Sequence, residues 1–334
     1  MLDIENRLGI LKQNNFKVIS LISSNKFTWN FWTLPNYLRK NPVDIYHTQY
    51  ITPFFVTKKI RIVTVVHDIS FNFFSKFIKF SDLFFLKILI PLSLKRADKI
   101  IAVSEFTKRE IIKYYKIDPE KVEYIHNAVG DNFSGGAFSE SEIDEVKKKY
   151  NLPEQFILYV GTLQPRKNIP LLLKAYAKNK DKLSDTKLVI VGNKKAHNFD
   201  KRIDDVIKAE KIENDVFFPG YIENEDLPKV YQSADLFMLP SLYEGFGIPI
   251  LEAMSSGVPV LASDIPSHRE VGGEAALYFN PQRLDDLSEK AYNILIGKNM
   301  RQNLVDLGSR RISFFSWRRT AEKMLEIYKK LITN

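Results

Sequence analysis

Two glutamates and two glycines mark the stretch where chemistry is densest in this sequence. Ser241-Leu242-Tyr243-Glu244-Gly245-Phe246-Gly247 reads as a loop, Ile248 to Ser256 as a helix, and Gly257 as its stop. Glu244 lies on the loop; Glu252 lies on the first turns of the helix, on the side facing back toward it. Gly245 and Gly247 let a ligand approach the backbone closely. Free N–H groups at a helix start favour an anion there. The stretch thus reads as a phosphate cradle with two carboxylates able to accept hydrogen bonds from hydroxyls. The plainer reading is a strand–loop–helix crossover whose glutamates are solvated. A second anion site follows the strand Phe156–Val160, which Gly161 stops: Thr162-Leu163-Gln164-Pro165-Arg166-Lys167-Asn168 leads into a helix over 169–179. Arg166 and Lys167 can neutralise phosphate charge that helix termini alone cannot. His67-Asp68 closes the β-branched run from Ile60, which places both side chains at the carboxyl end of a central strand. Ligands of open α/β sheets bind at that edge.

The elements that must hold these residues alternate. In the first half, Leu2 to Leu11 has helical spacing, and Phe16–Ile22, Asp44–His47, Ile60–Asp68, Lys99–Val103 and Tyr124–Val129 read as strands. Ser104 is placed to cap a helix over 105–115, without a capping box because Thr107 stands where the acid would be. Gly130-Asp131-Asn132-Phe133-Ser134-Gly135-Gly136 is the most linker-like segment. Beyond it, runs at 156–161, 188–192, 216–220, 236–240 and 258–262 continue the strand series, with helices at about 200–210, 225–233 and 248–256 between them. The pattern predicts two helix-wrapped parallel sheets, divided as 1–136 and 137–315. An amphipathic tail helix follows over 316–334, its apolar side made by Trp317, Ala321, Met324, Leu325 and Tyr328.

Composition narrows the chemistry. The 334 residues are 45% hydrophobic and 27% charged, enough for two globular domains. There is no cysteine, which excludes disulfides and thiolate metal sites, and the five histidines form no ligand pair. Of the net charge of +9, most belongs to residues 1–150, with 23 Lys+Arg against 16 Asp+Glu. No nucleic-acid motif accompanies that charge, so an anionic membrane surface is the favoured partner. Residues 71–95 combine phenylalanines and aliphatics with Lys76, Lys79 and Lys87. They read either as an interfacial helix or as a helix covering the sheet with its lysines in water. No run approaches the ~20 apolar residues of a spanning helix. The first residues carry acids and no apolar core of a signal peptide. A cytoplasmic protein, peripheral on the inner membrane face, is expected.

Four motifs resemble the retaining glycosyltransferases of family 4, the glycosyl transferase group 1 proteins of GT-B fold. They are Val66-His67-Asp68; Ala97-Asp98 through Glu105-Phe106; Gly161 through Asn168; and Glu244-Gly245-Phe246-Gly247 through Glu252, followed by Gly257-Val258-Pro259-Val260. The resemblance implies two Rossmann-like domains facing a cleft, with donor nucleotide on the second and acceptor contacts on the first. It implies that Lys167 and Arg166 hold the donor pyrophosphate, with Gly161 and Thr162 in the same turn. Glu252 accepts from the ribose hydroxyls. Glu244 with the Gly245-Phe246-Gly247 backbone meets donor sugar and phosphates, and Tyr221-Ile222 lies against the base. His67 points into the cleft near the sugar. The activity implied is metal-independent, retaining transfer of a hexose, mannose ahead of others, from a GDP- or UDP-linked donor to a saccharide or lipid-linked acceptor in surface-polysaccharide assembly. No cofactor, metal or nucleic acid is expected, and no DxD pair sits at a strand end. The chain opens at what corresponds to the family's first helix. The first domain is therefore expected to lack the family's first strand and glycine-rich loop, through truncation or through loss of part of the acceptor site. A non-catalytic scaffold built on the same fold is the alternative. Thr162 stands where many relatives carry arginine, which shifts phosphate neutralisation onto Arg166 and Lys167.

Overall fold

Two parallel sheets, each covered on both faces, carry the chain in a computed structural model that describes residues 15–333 except Ser134, Ser184 and His197. The expected helix at Leu2–Leu11 lies outside the described residues. In the first sheet β1 (Ile45–Gln49), β2 (Arg61–Val66), β3 (Lys99–Ala102) and β4 (Val122–Tyr124) pair in that order. Side-chain alternation along a strand decides what covers each face. Ile62, Val66, Ile100 and Ala102 point one way, onto Ile90 and Leu94 of α2 (Phe80–Arg96) and Ile111 of α3 (Glu105–Tyr115). Val63 and Ile101 point the other way, onto Ile327 of the last helix, α12 (Trp317–Thr333). The tail therefore returns to the first domain, where Tyr328 Oη meets His47 Nδ1.

The apolar face of α12 is only partly the one its spacing suggests: Met324 and Tyr328 pack on the sheet as expected, and the rest of the face is rotated. Ile327 is buried, with Met324, Tyr328 and Leu331 beside it, while Trp317, Ala321 and Leu325 face solvent. Both sides of this helix carry apolar residues, and only packing against the sheet chooses between them. Phe16–Ile22 is a further departure. It forms no strand, and Phe16, Val18, Ile19 and Ile22 are exposed. β-propensity needs a ladder partner, and β1 pairs only with β2. The strand expected at Tyr124–Val129 lies earlier, ending at Tyr124, with one more ladder bond from Ile125 N to Ala102 O at 2.9 Å.

Residues 71–95 fold as two 3₁₀ turns (Ser70–Asn72 and Ser75–Phe77) followed by α2. Leu89, Ile90 and Leu94 are buried, whereas Phe84, Ile88 and Leu92, spaced four apart, are 59%, 42% and 48% exposed. One face covers the sheet and the other presents an apolar stripe to solvent. Among the described residues no helix is long and apolar enough to cross a membrane.

The second sheet has the order β10-β9-β8-β5-β6-β7. β5 (Phe156–Val160), β6 (Lys187–Val191) and β7 (Val216–Phe217) run outward in one direction. β8 (Leu236–Leu239), β9 (Val260–Ser263) and β10 (Leu277–Phe279) run outward in the other. The order reverses between β5 and β8, and loops leaving two such strands part to open a crevice at their carboxyl ends. Those loops are 161–168 and 240–247, the two stretches with the chemistry.

Candidate functional site

The two loops meet through charge. After β5 the chain makes a 3₁₀ turn at Pro165–Lys167, and Asn168 adopts φ 57° before α5 (Ile169–Asn179), with a proline in its first turn. This geometry turns Arg166 and Lys167 toward β8. There Glu244 Oε2 accepts from Arg166 at 2.9 Å, Oε1 contacts Lys167 Nζ, and Ser241 Oγ donates to Oε1 at 2.8 Å. Arg166 also donates to Tyr243 O at 3.1 Å, and its own carbonyl accepts from Leu242 N at 2.8 Å. Lys167 and Glu244 are each only 8% exposed. Burial alone would raise the Glu244 carboxyl, but the Lys167 and Arg166 charges outweigh it and hold it far below the usual carboxylate range. Burial pulls Lys167 below the ordinary lysine value, and Glu244 opposes it. For Arg166, burial is outweighed by Glu244 and then by Asp68 of the first domain. The cluster is a triad of one carboxylate held between two basic side chains.

The loop then reaches the first domain. Gly245 needs to be glycine because a Cβ there would overlap the carbonyl oxygen of His67. Gly247, at φ 112°, is the N-cap of α8 (Ile248–Ser255), a conformation open to glycine at little cost. His67 stands at the end of β2, half-buried, its ring 5.9 Å from that of Tyr50. Among the described residues no hydrogen bond reaches its ring nitrogens. Burial lowers its pKa against the pull of Asp68, so the ring is neutral at physiological pH. Asp68 Oδ1 accepts from Ser70 N at 2.8 Å rather than from His67.

A cavity of about 590 Å³ opens on the other side of β5, lined by Gly161, Gly192, Asn193, Lys194, Tyr221 and Ile222 among others. Its size suits a nucleoside. Tyr221 is 79% exposed and Ile222 buried, and both line the cavity. The structure thus brings Gly161, Tyr221 and Ile222 to the cavity, and Arg166, Lys167 and Glu244 to the triad. Gly245 seats against His67; Phe246 is buried, its ring 5.7 Å from that of His126. Thr162 lies outside the cavity lining; its carbonyl accepts from Tyr159 Oη at 2.9 Å. Glu252 accepts from Tyr231 Oη at 2.7 Å, and burial raises its pKa while that hydroxyl opposes the rise. The two glutamates are therefore electrostatic opposites.

Gly192, Asn193 and Lys194 also line the cavity, and the one sequence signal for them is that Val191-Gly192 ends a strand just as Val160-Gly161 does. His268 is fully buried, with Nδ1 3.1 Å from Ser263 O and Nε2 unpartnered. Nothing in the spacing around His268 marks it. Among the described residues no group of three or more His, Asp or Glu is placed to hold a metal ion.

Two facing parallel α/β domains, with a nucleoside-sized cavity at the carboxyl ends of β5 and β6 in the second, define the GT-B architecture. The crystal structure of a glycosyltransferase from Rickettsia africae ESF-5 superposes on the whole chain and on 88% of its own length, with a TM-score of 0.75 and 24% identity. Residues 140–311 match the family described as glycosyl transferases group 1, and residues 13–133 match glycosyltransferase family 4. The chain belongs to the group 1 glycosyltransferases. It is 32% identical over 272 residues to O-antigen chain mannosyltransferase B of Escherichia coli, covering 81% of this chain and 71% of that protein. It is 33% identical over 239 residues to the serotype-specific mannosyltransferase WbdA of Escherichia coli, covering 71% of this chain and 29% of WbdA. The chain thus spans less than a third of the WbdA relatives it matches.

Proposed function

We propose that the protein transfers a hexose, mannose ahead of others, from a GDP- or UDP-linked donor to a saccharide or lipid-linked acceptor in surface-polysaccharide assembly, with retention and without a metal. The observation that carries the reading is the buried Arg166–Lys167–Glu244 triad at the order reversal, beside the 590 Å³ cavity. The names of the mannosyltransferase relatives support the sugar. The nucleoside enters the cavity under Tyr221 and against Ile222, with Gly161 as its floor, and Glu252 accepts from the ribose. The diphosphate lies toward Lys167 and Arg166, which are preorganised for the negative charge that grows as the leaving group departs. The acceptor hydroxyl attacks the anomeric carbon on the face the leaving phosphate vacates. The C–O bond to phosphate breaks, and the acceptor proton passes to the leaving oxygen. His67, neutral and with unengaged ring nitrogens, hydrogen-bonds the transferred sugar.

Lys167→Ala and Glu252→Ala are each expected to lower transfer at least tenfold, about 1.4 kcal/mol of transition-state stabilisation. Wild-type turnover by both variants, with a donor identified by thermal shift across GDP-, UDP- and dTDP-sugars, would overturn the site. The exposed stripe of Phe84, Ile88 and Leu92 beside Lys87 supports peripheral contact of residues 71–95 with an anionic membrane on the cytoplasmic face. Co-sedimentation with vesicles containing phosphatidylglycerol should fall on charge reversal at Lys76, Lys79 and Lys87; equal sedimentation would remove the membrane contact.

A further inference from the structure

The N-terminus of α3, on the first domain, is used up on the second. Ser104 caps this helix, accepting from Thr107 N at 2.9 Å, and its hydroxyl proton goes across the cleft to the Gly245 carbonyl at 2.5 Å. Thr107 Oγ1 donates to the same carbonyl at 3.0 Å. Both side chains are completely buried. The next two helix-start amides, which an isolated helix leaves to water, are also spent across the cleft. Glu105 N and Phe106 N donate to Oε1 and Oε2 of Glu270, at 2.6 and 2.9 Å, on α9 (Pro266–Gly272). His126 Nε2 lies 2.7 Å from the same Glu270 Oε1. A carboxylate at a helix N-terminus is also favoured by the helix dipole.

The target of the two hydroxyls is specific. Gly245 follows Glu244, the centre of the charge triad, and precedes the turn into α8. Its missing side chain seats it against the carbonyl of His67. A carbonyl oxygen has two lone pairs, and here both hydroxyl donors come from one helix turn of the opposite domain. An aligned pair of buried donors fixes a carbonyl in direction as well as distance, which one bond cannot do.

We propose that Ser104 and Thr107 are positioning residues, a hydroxyl clamp on the Gly245 carbonyl that registers the Glu244 loop of the donor domain against His67 of the acceptor domain. They touch neither donor nor acceptor; they set where the triad sits when the cleft is closed. The effect on transfer rests on the activity proposed above, whereas the clamp itself is a property of the loop and is measurable without turnover. Misplacing a reacting group by about 1 Å costs on the order of a hundredfold in rate, so even a slight release of this carbonyl is legible.

The test uses the full chain with Thr107→Val, which keeps the shape and removes the hydroxyl, Thr107→Ser, which keeps the hydroxyl, and Ser104→Ala combined with Thr107→Val. Amide hydrogen exchange by mass spectrometry is followed over the loop 241–247 and, as an internal reference, over β8 and α8. The clamp requires exchange in the loop to quicken about tenfold or more in Thr107→Val and further in the double variant, with β8 and α8 unchanged and Thr107→Ser restoring the wild-type rate. In transfer assays kcat should fall about tenfold in Thr107→Val with the donor KM unchanged, and recover in Thr107→Ser. Loop exchange at the wild-type rate in both hydroxyl-less variants overturns the proposal, as does a rise spread evenly over β8, α8 and the loop, which a merely structural threonine would give. If the wild type turns over no donor, the proposed activity fails while the exchange result still decides the clamp.

Discussion

Acidification should destabilise the second domain through one side chain, His268. Its ring is fully buried under the Glu244 loop, with Nδ1 against Ser263 O at 3.1 Å. A carbonyl only accepts, so the neutral ring carries its proton on Nδ1, and Nε2 is left as a lone pair without a partner. A second proton would charge a site with no acceptor for it. Burial accordingly lowers the pKa from 6.5 to about 4, with Glu244 and the Ser263 carbonyl opposing and Lys167 assisting. The folded value lies below the unfolded one, so the unfolded chain binds the extra proton first. Stability from this group is complete above pH 6.5 and is lost as pH falls toward 4. At pH 5 the unfolded imidazole is mostly protonated and the folded one is not, a loss of about 2 kcal/mol of a possible ~3.4 kcal/mol. Urea unfolding of wild type and His268→Asn at pH 7.5 and pH 5.0 reads this directly, because asparagine can still donate to Ser263 O but does not titrate. The wild type should lose about 2 kcal/mol more than the variant between the two pH values. Equal losses, within about 0.5 kcal/mol, would refute the assignment of a neutral, partnerless Nε2.

Three further substitutions probe the loops around it. Gly245→Ala must push the loop off the His67 carbonyl, and transfer should fall about a hundredfold while nucleoside diphosphate affinity by calorimetry stays within a few fold; unimpaired transfer would show that the loop need not touch β2. Glu244→Gln leaves two buried cations uncompensated and should cost roughly 3–5 kcal/mol in urea unfolding at pH 7. Because its folded pKa lies below the unfolded one, that deficit should shrink as pH drops below about 4.5, and a deficit independent of pH would contradict the ion pairs. Tyr221→Ala removes an exposed ring and should change stability by less than about 0.5 kcal/mol while raising the donor KM several-fold; an unchanged KM would take the ring away from the cavity.

What the sequence made legible is what strands dictate. Val160-Gly161, Val66-His67 and Leu239-Pro240 mark strand ends, and a parallel sheet sends every strand end to one edge, so the loops that follow had to converge. The reversal between β5 and β8 then fixes where the crevice opens, which no local pattern announces. Partnerships across long sequence separations were illegible. Glu244 looked free for a ligand because nothing near it in sequence is basic, yet residues 78 and 77 positions earlier engage both its oxygens. Nor does any local pattern show Glu270 meeting the Glu105 and Phe106 amides, or Ser104 meeting the Gly245 carbonyl, across the cleft. Phe16–Ile22 shows the opposite failure, in which local preference was clear and no neighbouring strand answered it. In α12 the choice among several apolar stripes fell to Val63 and Ile101 of the sheet beneath.

The triad resolves an electrostatic difficulty that two cations alone would create. A diphosphate needs concentrated positive charge in a site dry enough to make it effective, but drying the site drives Lys167 toward its neutral form. Glu244, held between the two basic groups by two ion pairs and the Ser241 hydroxyl, opposes that drift. It also fixes both side chains in place without a ligand, the preorganisation that the proposed diphosphate site requires. Glu252 cannot substitute for it. With only the Tyr231 hydroxyl as partner, burial raises its pKa, which suits a hydrogen-bonding contact to a sugar hydroxyl and not the task of holding a lysine ionised. The two carboxylates, eight positions apart in sequence, are thus separated electrostatically by what the fold places around each.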